Sequence, residues 1–326
     1  MSDDLGEAGV DSGQTGFRHE LYPYEGDGQF LSGAGAFIDD ALASGELVVV
    51  AVAKTKERML REQLAGTGAE AGVSFLDLDA LGRNPGRLIP AWQDKIAKLA
   101  SGGQAVRGIG ESPWGGPDAA LAGELRYHEW LLNRAFEQSP AWWLLCPYDT
   151  ATLETAVLEA AGRCHPLVLA GGAHESNSGY IDEPYTFDQL DAPCDPHVVL
   201  PYRQGDLAAV RAKISACAAE HELGGDRLRE LLVAATEVAS NSIRHGGGSG
   251  TLRTWATDSW FICEFHDAGY IQDALVGRVR PRPDQTGGHG MWLVQQLCDL
   301  VQIRSNPQDG TTIRLYTALE IGRAHD

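Results

Sequence analysis

The segment TEVASNSIRHGGG, residues 236–248, is the most informative part of the sequence. Apolar residues recur at helical spacing from residue 225 to residue 245, which predicts a helix that the following glycines end. Glu237 and Asn241 fall opposite the apolar stripe when each residue advances the helix by about 100°, and their i,i+4 spacing makes them neighbours. An isolated pair of this kind more often lies on a solvent-exposed face than at a ligand site. The segments that follow are therefore needed to decide between an exposed face and a ligand site.

The next segment, HDAGY, places Asp267 at the end of a strand of alternating pattern, with Gly269 two residues later. A carboxylate in this position can accept a hydrogen bond from the exocyclic amine of adenine, and the glycine lets backbone approach the ring. Asp-x-Gly is also a common turn. This segment therefore indicates binding of a nucleotide base only when other segments of the sequence also indicate a nucleotide site.

Two later segments extend the pattern. TGGHGMWLVQQLCD sets Gly287, Gly288 and Gly290 directly before a helix, whose N-terminal N–H groups favour an anion such as phosphate, although Gly-rich loops are commonplace. DGTTIRLYTAL offers the hydroxyl of Thr311 or Thr312 to the base or to a nearby water. Each signal is weak alone, and their order is what indicates a nucleotide site.

In that order, E-x-x-x-N, D-x-G, G-x-G-x-x-L and G-T-T resemble the N box and the three glycine boxes of the GHKL (Bergerat-fold) ATPase superfamily. ELLVAATEVASNSIRHGGG and GGHGMWLVQQLCDLVQI resemble more specifically the anti-sigma-factor serine/threonine kinases of the RsbW type. The resemblance covers about residues 196–319. It implies an α+β Bergerat sandwich, with helices on one face of a largely antiparallel sheet, that uses ATP and Mg²⁺.

The resemblance also implies a role for individual residues. Asn241 supplies its side-chain oxygen to Mg²⁺, and Glu237, one turn earlier, is the catalytic residue that orients or deprotonates the attacking hydroxyl. Residues 270–286 form the ATP lid, and the arginines of its RVRPR segment either neutralise phosphate charge or meet solvent and partners. The residues expected to bind the cofactor are Asn241, Asp267, Gly269, Gly288, His289, Gly290, Thr312 and Arg282.

The first half of the chain alternates predicted strands with predicted helices. FLSGAGAFIDDALASG, residues 30–45, predicts a helix, and the β-branched run ELVVVAVA, residues 46–53, predicts a strand buried on both faces. VSFLDLD and AWWLLCPYD predict further strands, so the expected fold is α/β with a mostly parallel sheet. KTKERM follows the β-branched run where a phosphate loop would need glycines, so nucleotide binding is not expected in this half.

Several motifs of the first half resemble the MEDS sensory domain, over about residues 17–168: FRHELYPYEGDGQF, VRGIGESPWGG, ELRYHEWLLNRAF and WWLLCPYDTATLETAVLEAAGRCHPLV. The resemblance implies a P-loop-like α/β core ahead of an output module. With an RsbW-like module behind it, the arrangement resembles the RsbA family of anti-sigma regulators. A small-molecule pocket is one interpretation of the distinctive residues, and core packing, caps or ion pairs are the other. These residues are His19, Tyr24, Glu111, Trp114, Glu129 and Tyr148.

The composition limits the classes of function. The 326 residues carry a formal net charge of -19, from 26 basic and 45 acidic residues, which opposes general binding to nucleic acid and to anionic membranes. There is no apolar run near the roughly 20 residues of a membrane span, and MSDDLGEAGVDSGQTG is no signal peptide. Scattered cysteines predict buried, reduced thiols in a cytoplasmic protein. Cys164 and His165 could ligate a metal, but no second pair completes a site and no metal triad stands out.

The predicted division is a disordered tail at 1–16, a sensory domain at 17–170, a linker at 171–196, a kinase domain at 197–320 and a tail at 321–326. The resemblance implies a sigma factor, a STAS-type anti-anti-sigma antagonist and a second copy of the chain as partners. A non-catalytic, ATP-dependent partner switch is one alternative. A sensor histidine kinase using His221 is another, although its helix lacks the second helix of a dimerising hairpin.

Overall fold

The computed structural model describes residues 16–319 apart from 82, 114–117, 188–189, 191–197, 283 and 286. The predicted tail 321–326, residues 1–15 of the predicted first tail, and residues 188–189 and 191–196 of the predicted linker lie outside the described residues. The described part contains two sheets, one in each half of the chain.

The first sheet has seven strands in the order β3-β2-β4-β5-β1-β6-β7. All its pairings are parallel except that of β6 with β7, which is antiparallel. The strands are β1 (Phe17–Tyr24), β2 (Leu47–Ala51), β3 (Val73–Phe75), β4 (Val106–Gly110), β5 (Trp142–Asp149), β6 (Leu167–Ala170) and β7 (Ala173–Ser176). The prediction of an α/β domain with a mostly parallel sheet is confirmed.

Helices cover both faces of this sheet. They are α1 (Gly26–Ala43), α2 (Lys54–Leu64), α3 (Leu78–Leu81), α4 (Leu88–Ala100), α5 (Ala119–Ala135) and α6 (Thr155–Cys164), with single 3₁₀ turns at Ala69–Gly72 and Pro85–Arg87. The strand β2 sends Val48 and Val50 into the core beneath α1 and α2, while Val49 and Ala51 enter the core beneath α4 and α5. A strand buried on both faces explains its continuous apolar run.

The strand β7 occupies part of the predicted linker. Gly171 and Gly172 both have positive φ, 59° and 86°, and join β6 to β7 as a two-residue hairpin turn. Turns of this kind need φ above zero at both central residues, which glycine adopts without strain. The glycine-rich composition that indicated a linker therefore marks a hairpin that adds an antiparallel edge strand.

The second sheet has five strands, all antiparallel, in the order β11-β12-β10-β9-β8. Three helices, α7 (Leu207–Ala219), α8 (Gly225–His245) and α9 (His289–Leu297), share the main core on one face. This confirms the predicted α+β layering, with helices on one face of an antiparallel sheet. The strands are β8 (Val198–Arg203), β9 (Ser249–Ala256), β10 (Trp260–Asp267), β11 (Leu300–Asn306) and β12 (Gly310–Ala318).

The other face of the second sheet packs on the first domain. Trp260 and Tyr316 belong to an apolar cluster that Ala120 and Leu121, at the start of α5, join. Asp118 caps α5 through the N–H groups of Ala120 and Leu121 and accepts a hydrogen bond of 2.6 Å from Trp260 Nε1. The two domains are therefore in direct contact through the N-terminus of α5.

A second contact caps α9 from the first domain. The buried side chain of Asn84 donates to the carbonyl oxygens of Gln295 (2.8 Å) and Cys298 (3.3 Å). Arg87 donates to the same two carbonyls and to that of Gln296. The last carbonyls of a helix have no intrahelical partner, and a cation there also complements the helix dipole. The first domain thus completes the C-terminus of a helix in the second.

The cysteines Cys146, Cys164, Cys217, Cys263 and Cys298 are buried and free, as predicted, and Cys194 lies outside the described residues. Within the described part of the chain, no helix combines the length and apolar character that a membrane crossing requires.

Candidate functional site

A cavity of about 610 Å³ opens between α8, the N-terminus of α9 and the ends of β10 and β12. Seven residues that the sequence predicted for cofactor binding or catalysis lie on its wall: Glu237, Asn241, Asp267, Gly269, Gly288, His289 and Gly290. The three segments that carry these residues therefore meet around one space.

The helix α8 forms one wall because its apolar stripe is turned to the core. Val238 and Ala239 are buried, while Glu237 and Asn241 are half-buried on the cavity side. A Cβ added at Gly290 would lie 2.7 Å from Glu237 Oε2 and 3.8 Å from Asn241 Nδ2. A side chain at position 290 would therefore displace the Glu237 carboxylate from its position, and glycine lets the N-terminus of α9 approach both polar groups.

The wall opposite α8 is built by close backbone packing around Asp267. Its Oδ1 accepts a hydrogen bond of 2.8 Å from the N–H of Gly269, which orients the carboxylate. A Cβ at Gly246 would lie 2.3 Å from Asp267 Cγ, and one at Gly269 would lie 2.8 Å from the Cα of Gly246. Both glycines are therefore needed for the carboxylate to reach the cavity wall.

The loop that leads into α9 consists of glycines on the cavity wall. Gly287 and Gly288 have φ of 109° and 81°, and Gly288 is the N-cap residue of α9. The left-handed region favours glycine, and the first N–H groups of a helix have no intrahelical acceptors. These groups give the end of the cavity next to Glu237 a preference for an anion.

Two predicted site residues lie elsewhere. The Thr312 hydroxyl contacts Nδ1 of His266 at 3.1 Å, whereas its neighbour Thr311 lines the cavity and donates to the carbonyl oxygen of Gly269 at 2.8 Å. Adjacent strand residues face opposite sides of a sheet, so only one of the pair can reach the cavity. Arg282 is exposed and pairs with Asp284 at 3.5 Å. Thr311 thus lies on the cavity wall, and Thr312 and Arg282 do not.

Sequence reasoning missed other wall residues. Arg244 lines the cavity and donates to Asn241 Oδ1 at 3.1 Å. Its position three residues after Asn241 on a helix was a signal that could have found it. Ile271, Val276 and Met291 add an apolar surface beside Asp267, and none of the three was predicted as a site residue.

The predicted lid is docked on the first domain. Arg278 is 1% exposed, and its Nη2 donates to Glu124 Oε2 at 2.6 Å. Arg304 binds the other carboxylate oxygen of Glu124 at 2.8 Å, and Arg280 pairs at the surface with Asp94 at 2.6 Å. Of the two interpretations of these lid arginines, the structure therefore supports partner contact, the partner being the chain's own first domain.

The predicted pocket of the first domain is divided between two places. His19, Glu129 and Tyr148 meet in the interior. Tyr24 and Glu111 instead lie at the ends of β1 and β4, where Lys56 approaches both. Trp114 lies outside the described residues.

The start of α2 is the place where a phosphate loop would lie. Here Glu111 Oε2 accepts a hydrogen bond of 3.1 Å from the N–H of Ala53, the N-cap residue of α2, and its Oε1 pairs with Lys56. A carboxylate already occupies the anion position of this helix. The prediction that nucleotide does not bind in the first domain stays a prediction.

Two family descriptions match the chain. Residues 18–166 match MEDS, described as the MEthanogen/methylotroph, DcmR Sensory domain. Residues 200–317 match the histidine kinase-like ATPase domain, a class that uses ATP, generally together with Mg²⁺. No curated protein matches the chain. The chain is thus an ATP-binding regulatory protein in which a MEDS domain precedes a histidine kinase-like ATPase domain.

Proposed function

We propose that this chain is an anti-sigma regulator that binds Mg²⁺-ATP in the cavity between α8 and α9 and phosphorylates a protein antagonist. The observation that carries the proposal is the convergence of Glu237 and Asn241 on the N-terminus of α9, with Asp267 across the same cavity. The sequence resemblance to RsbW-type kinases supplies the substrate class, a serine or threonine of an anti-anti-sigma factor. The sequestered partner is a sigma factor.

In this proposal each wall of the cavity takes one part of the nucleotide. Asp267 accepts a hydrogen bond from the adenine amine, beside the apolar surface of Ile271 and Met291. The N-terminus of α9 receives the phosphates. Asn241 offers a carbonyl oxygen, the ligand type that Mg²⁺ prefers, once Arg244 releases it. Asn241 would hold Mg²⁺ in this arrangement, and the bound ion would supply charge neutralisation to the phosphates.

The chemical step is an in-line transfer. The hydroxyl oxygen of the antagonist bonds to the γ-phosphorus, the bond from that phosphorus to the β–γ bridging oxygen breaks, and ADP leaves. Glu237 takes the hydroxyl proton as the new bond forms. Such transfers depend mainly on positioning of the reactants and on neutralisation of the phosphate charge. Acid–base catalysis by the protein therefore needs only one base at the phosphate end of the cavity.

One observation favours a second candidate, a partner switch that binds ATP without transferring phosphate. Arg278 of the lid is held by Glu124 and Arg280 by Asp94, so these two charges are directed to the first domain and away from the phosphates. Transfer of radiolabel from γ-labelled ATP to a co-purified antagonist separates the two. Labelled antagonist supports the kinase, and ATP-dependent capture of a partner without label supports the switch.

The histidine kinase alternative gains no support from the second domain. His221 follows α7, is half-buried and lies with its ring centroid 5.9 Å from that of Phe261. The helix α7 packs on α8 and on the sheet within one core. A phosphoacceptor histidine needs an exposed ring on a dimerising hairpin, and this ring is packed against a strand.

We further propose that the MEDS domain regulates the ATPase domain through the lid. Glu124 of α5 holds Arg278, and the hydroxyl of Tyr127, on the next turn of α5, donates to the carbonyl oxygen of Ala274 at 3.2 Å. The lid borders the cavity through Ile271 and Val276. A shift of α5 would therefore change the position of the lid and the closure of the nucleotide site.

Nucleotide binding should be confined to the second domain. Among the described residues, Lys56 is the basic side chain at the start of α2 that contacts the Glu111 carboxylate. Lys56→Met removes this positive charge. It should leave the affinity and the stoichiometry of Mg²⁺-ATP binding to the full chain unchanged, because the carboxylate already fills that anion position. Isothermal titration measures both quantities. A folded Lys56→Met variant with weakened ATP binding would place a nucleotide in the first domain instead.

A further inference from the structure

Four metal-ligating side chains meet in the interior of the MEDS domain, apart from the nucleotide cavity. His19 lies on β1, Cys146 on β5, Glu129 on α5, and His165 directly after α6. All four are buried, and one ligand atom from each lies within 4.8 Å of all the others. The Nε2 of His19 is 3.4 Å from Cys146 Sγ, and Glu129 Oε2 is 3.6 Å from Nε2 of His19 and 3.6 Å from Nε2 of His165.

Hydrogen bonds fix the tautomers of both imidazoles. Nδ1 of His165 contacts the carbonyl oxygen of Ala161 at 2.8 Å and must donate to it. Asn133 donates its Nδ2 to the carbonyl of Cys164, so its Oδ1, 3.1 Å from Nδ1 of His19, is an acceptor for that ring. The Nδ1 atoms of both rings are thus turned to acceptors outside the cluster, and the Nε2 atoms, 3.6 Å from Glu129 Oε2, are the ring nitrogens that face it.

The Nε2 atoms of His19 and His165 face the carboxylate of Glu129, so hydrogen-bond acceptors lie opposite another acceptor. Oε1 of Glu129 accepts a hydrogen bond from the hydroxyl of Ser112, and Tyr148 lies beside the carboxylate. His165 Nε2, which faces this carboxylate at 3.6 Å, has no hydrogen-bond partner among the described residues. Unsatisfied buried acceptors are costly, and a cation among them would satisfy all of them together.

We propose that His19, Glu129, Cys146 and His165 bind one divalent transition-metal ion, Zn²⁺ by preference. Two imidazole nitrogens, a carboxylate oxygen and a thiolate are ligands that zinc accepts in tetrahedral sites. The ligand–ligand edges of such sites, about 3.3–3.8 Å, agree with the three separations given above. One carboxylate and one thiolate would also cancel the two charges of the ion. Binding converts the Cys146 thiol to a thiolate and releases its proton to solvent.

The hydrogen bonds around the cluster have the pattern expected behind metal ligands. Histidine ligands commonly donate their second ring N–H to a carbonyl or carboxylate, which fixes the orientation of the ring. Ala161 and Asn133 provide such acceptors for His165 and His19.

The test uses the full chain, purified without a histidine tag and dialysed against Zn²⁺ and then against metal-free buffer. Elemental analysis should find about one zinc per chain in the parent and less than about a tenth in Cys146→Ser and in His165→Gln, because each loses a ligand. Cys217→Ser is the matched control, since Cys217 is also a thiol 3% exposed but lies in the other domain. It should retain the parent's zinc.

Cobalt gives a readout that depends on the sulfur ligand. The Co²⁺-loaded parent and Cys217→Ser should show a thiolate-to-cobalt charge-transfer band that Cys146→Ser lacks. A chelator should lower the melting temperature of the parent and leave that of Cys146→Ser unchanged. A parent chain that takes up neither zinc nor cobalt overturns the metal site, and this measurement remains decisive if a variant fails to fold. A charge-transfer band that survives in Cys146→Ser overturns the site as well.

Discussion

Glu237→Gln should lower phosphate transfer from γ-labelled ATP to the antagonist by about 10² to 10⁴, the usual contribution of a general base. Gln keeps the size and the hydrogen-bonding capacity of the acid but accepts no proton at neutral pH. Its side chain is half-buried on the cavity wall, away from the apolar stripe of α8, so stability should change by less than about 0.5 kcal/mol. ATP affinity should survive, because Asn241, Asp267 and the N-terminus of α9 are intact.

The matched control for this variant is Glu230→Gln. Glu230 lies two turns earlier on α8, is exposed and is not on the cavity wall, so its substitution should leave transfer unchanged. Capture of the sigma factor should persist in both variants. Equal transfer by the parent and Glu237→Gln would remove Glu237 as the base. Absence of transfer by a parent that binds ATP would favour the non-catalytic switch.

Glu124→Gln should cost about 3–5 kcal/mol of unfolding free energy, because it leaves buried guanidinium charge without its counterion. Glu124 is fully buried and accepts hydrogen bonds from both Arg278 and Arg304. Arg278→Met should cost less, since Glu124 keeps Arg304. Asp94→Asn, which breaks the exposed pair with Arg280, should cost less than about 1 kcal/mol. Denaturant titration followed by fluorescence measures the three values.

The same series tests whether the first domain restrains the lid. Hydrogen exchange of residues 270–282 should accelerate in Glu124→Gln and in Arg278→Met, and should stay near the parent rate in Asp94→Asn. Equal, small effects of all three substitutions on stability and on exchange would mean that the buried pair does not hold the lid to the MEDS domain.

The sequence predicted what lies within one segment. The face of α8 that carries Glu237 and Asn241, and the glycines before α9, follow from local periodicity and spacing. The strand β2, and the absence of a glycine-rich phosphate loop directly after it, could also be predicted, because both follow from the residues of one short segment. These features depend on helix and strand geometry, which neighbouring residues determine.

What could not be predicted depends on contacts between distant segments. The choice between Thr311 and Thr312 depends on the pairing of Asp267 with Thr311 in the sheet. The binding of Arg278 to Glu124 joins residues of different domains. The cluster around Glu129 draws its members from four separate elements, so no local spacing of the kind that indicates a metal site was present.

The measurement that bears most directly on the nucleotide site is isothermal titration of the full chain with Mg²⁺-ATP. The parent should bind one ATP. Asp267→Ala should lose about 1.5–3 kcal/mol of binding free energy, typical of a hydrogen bond to a charged group. Asn241→Ala should bind as weakly as the parent does when Mg²⁺ is withheld, and should no longer respond to Mg²⁺. If both variants bind Mg²⁺-ATP like the parent, the cavity between α8 and α9 is not the nucleotide site.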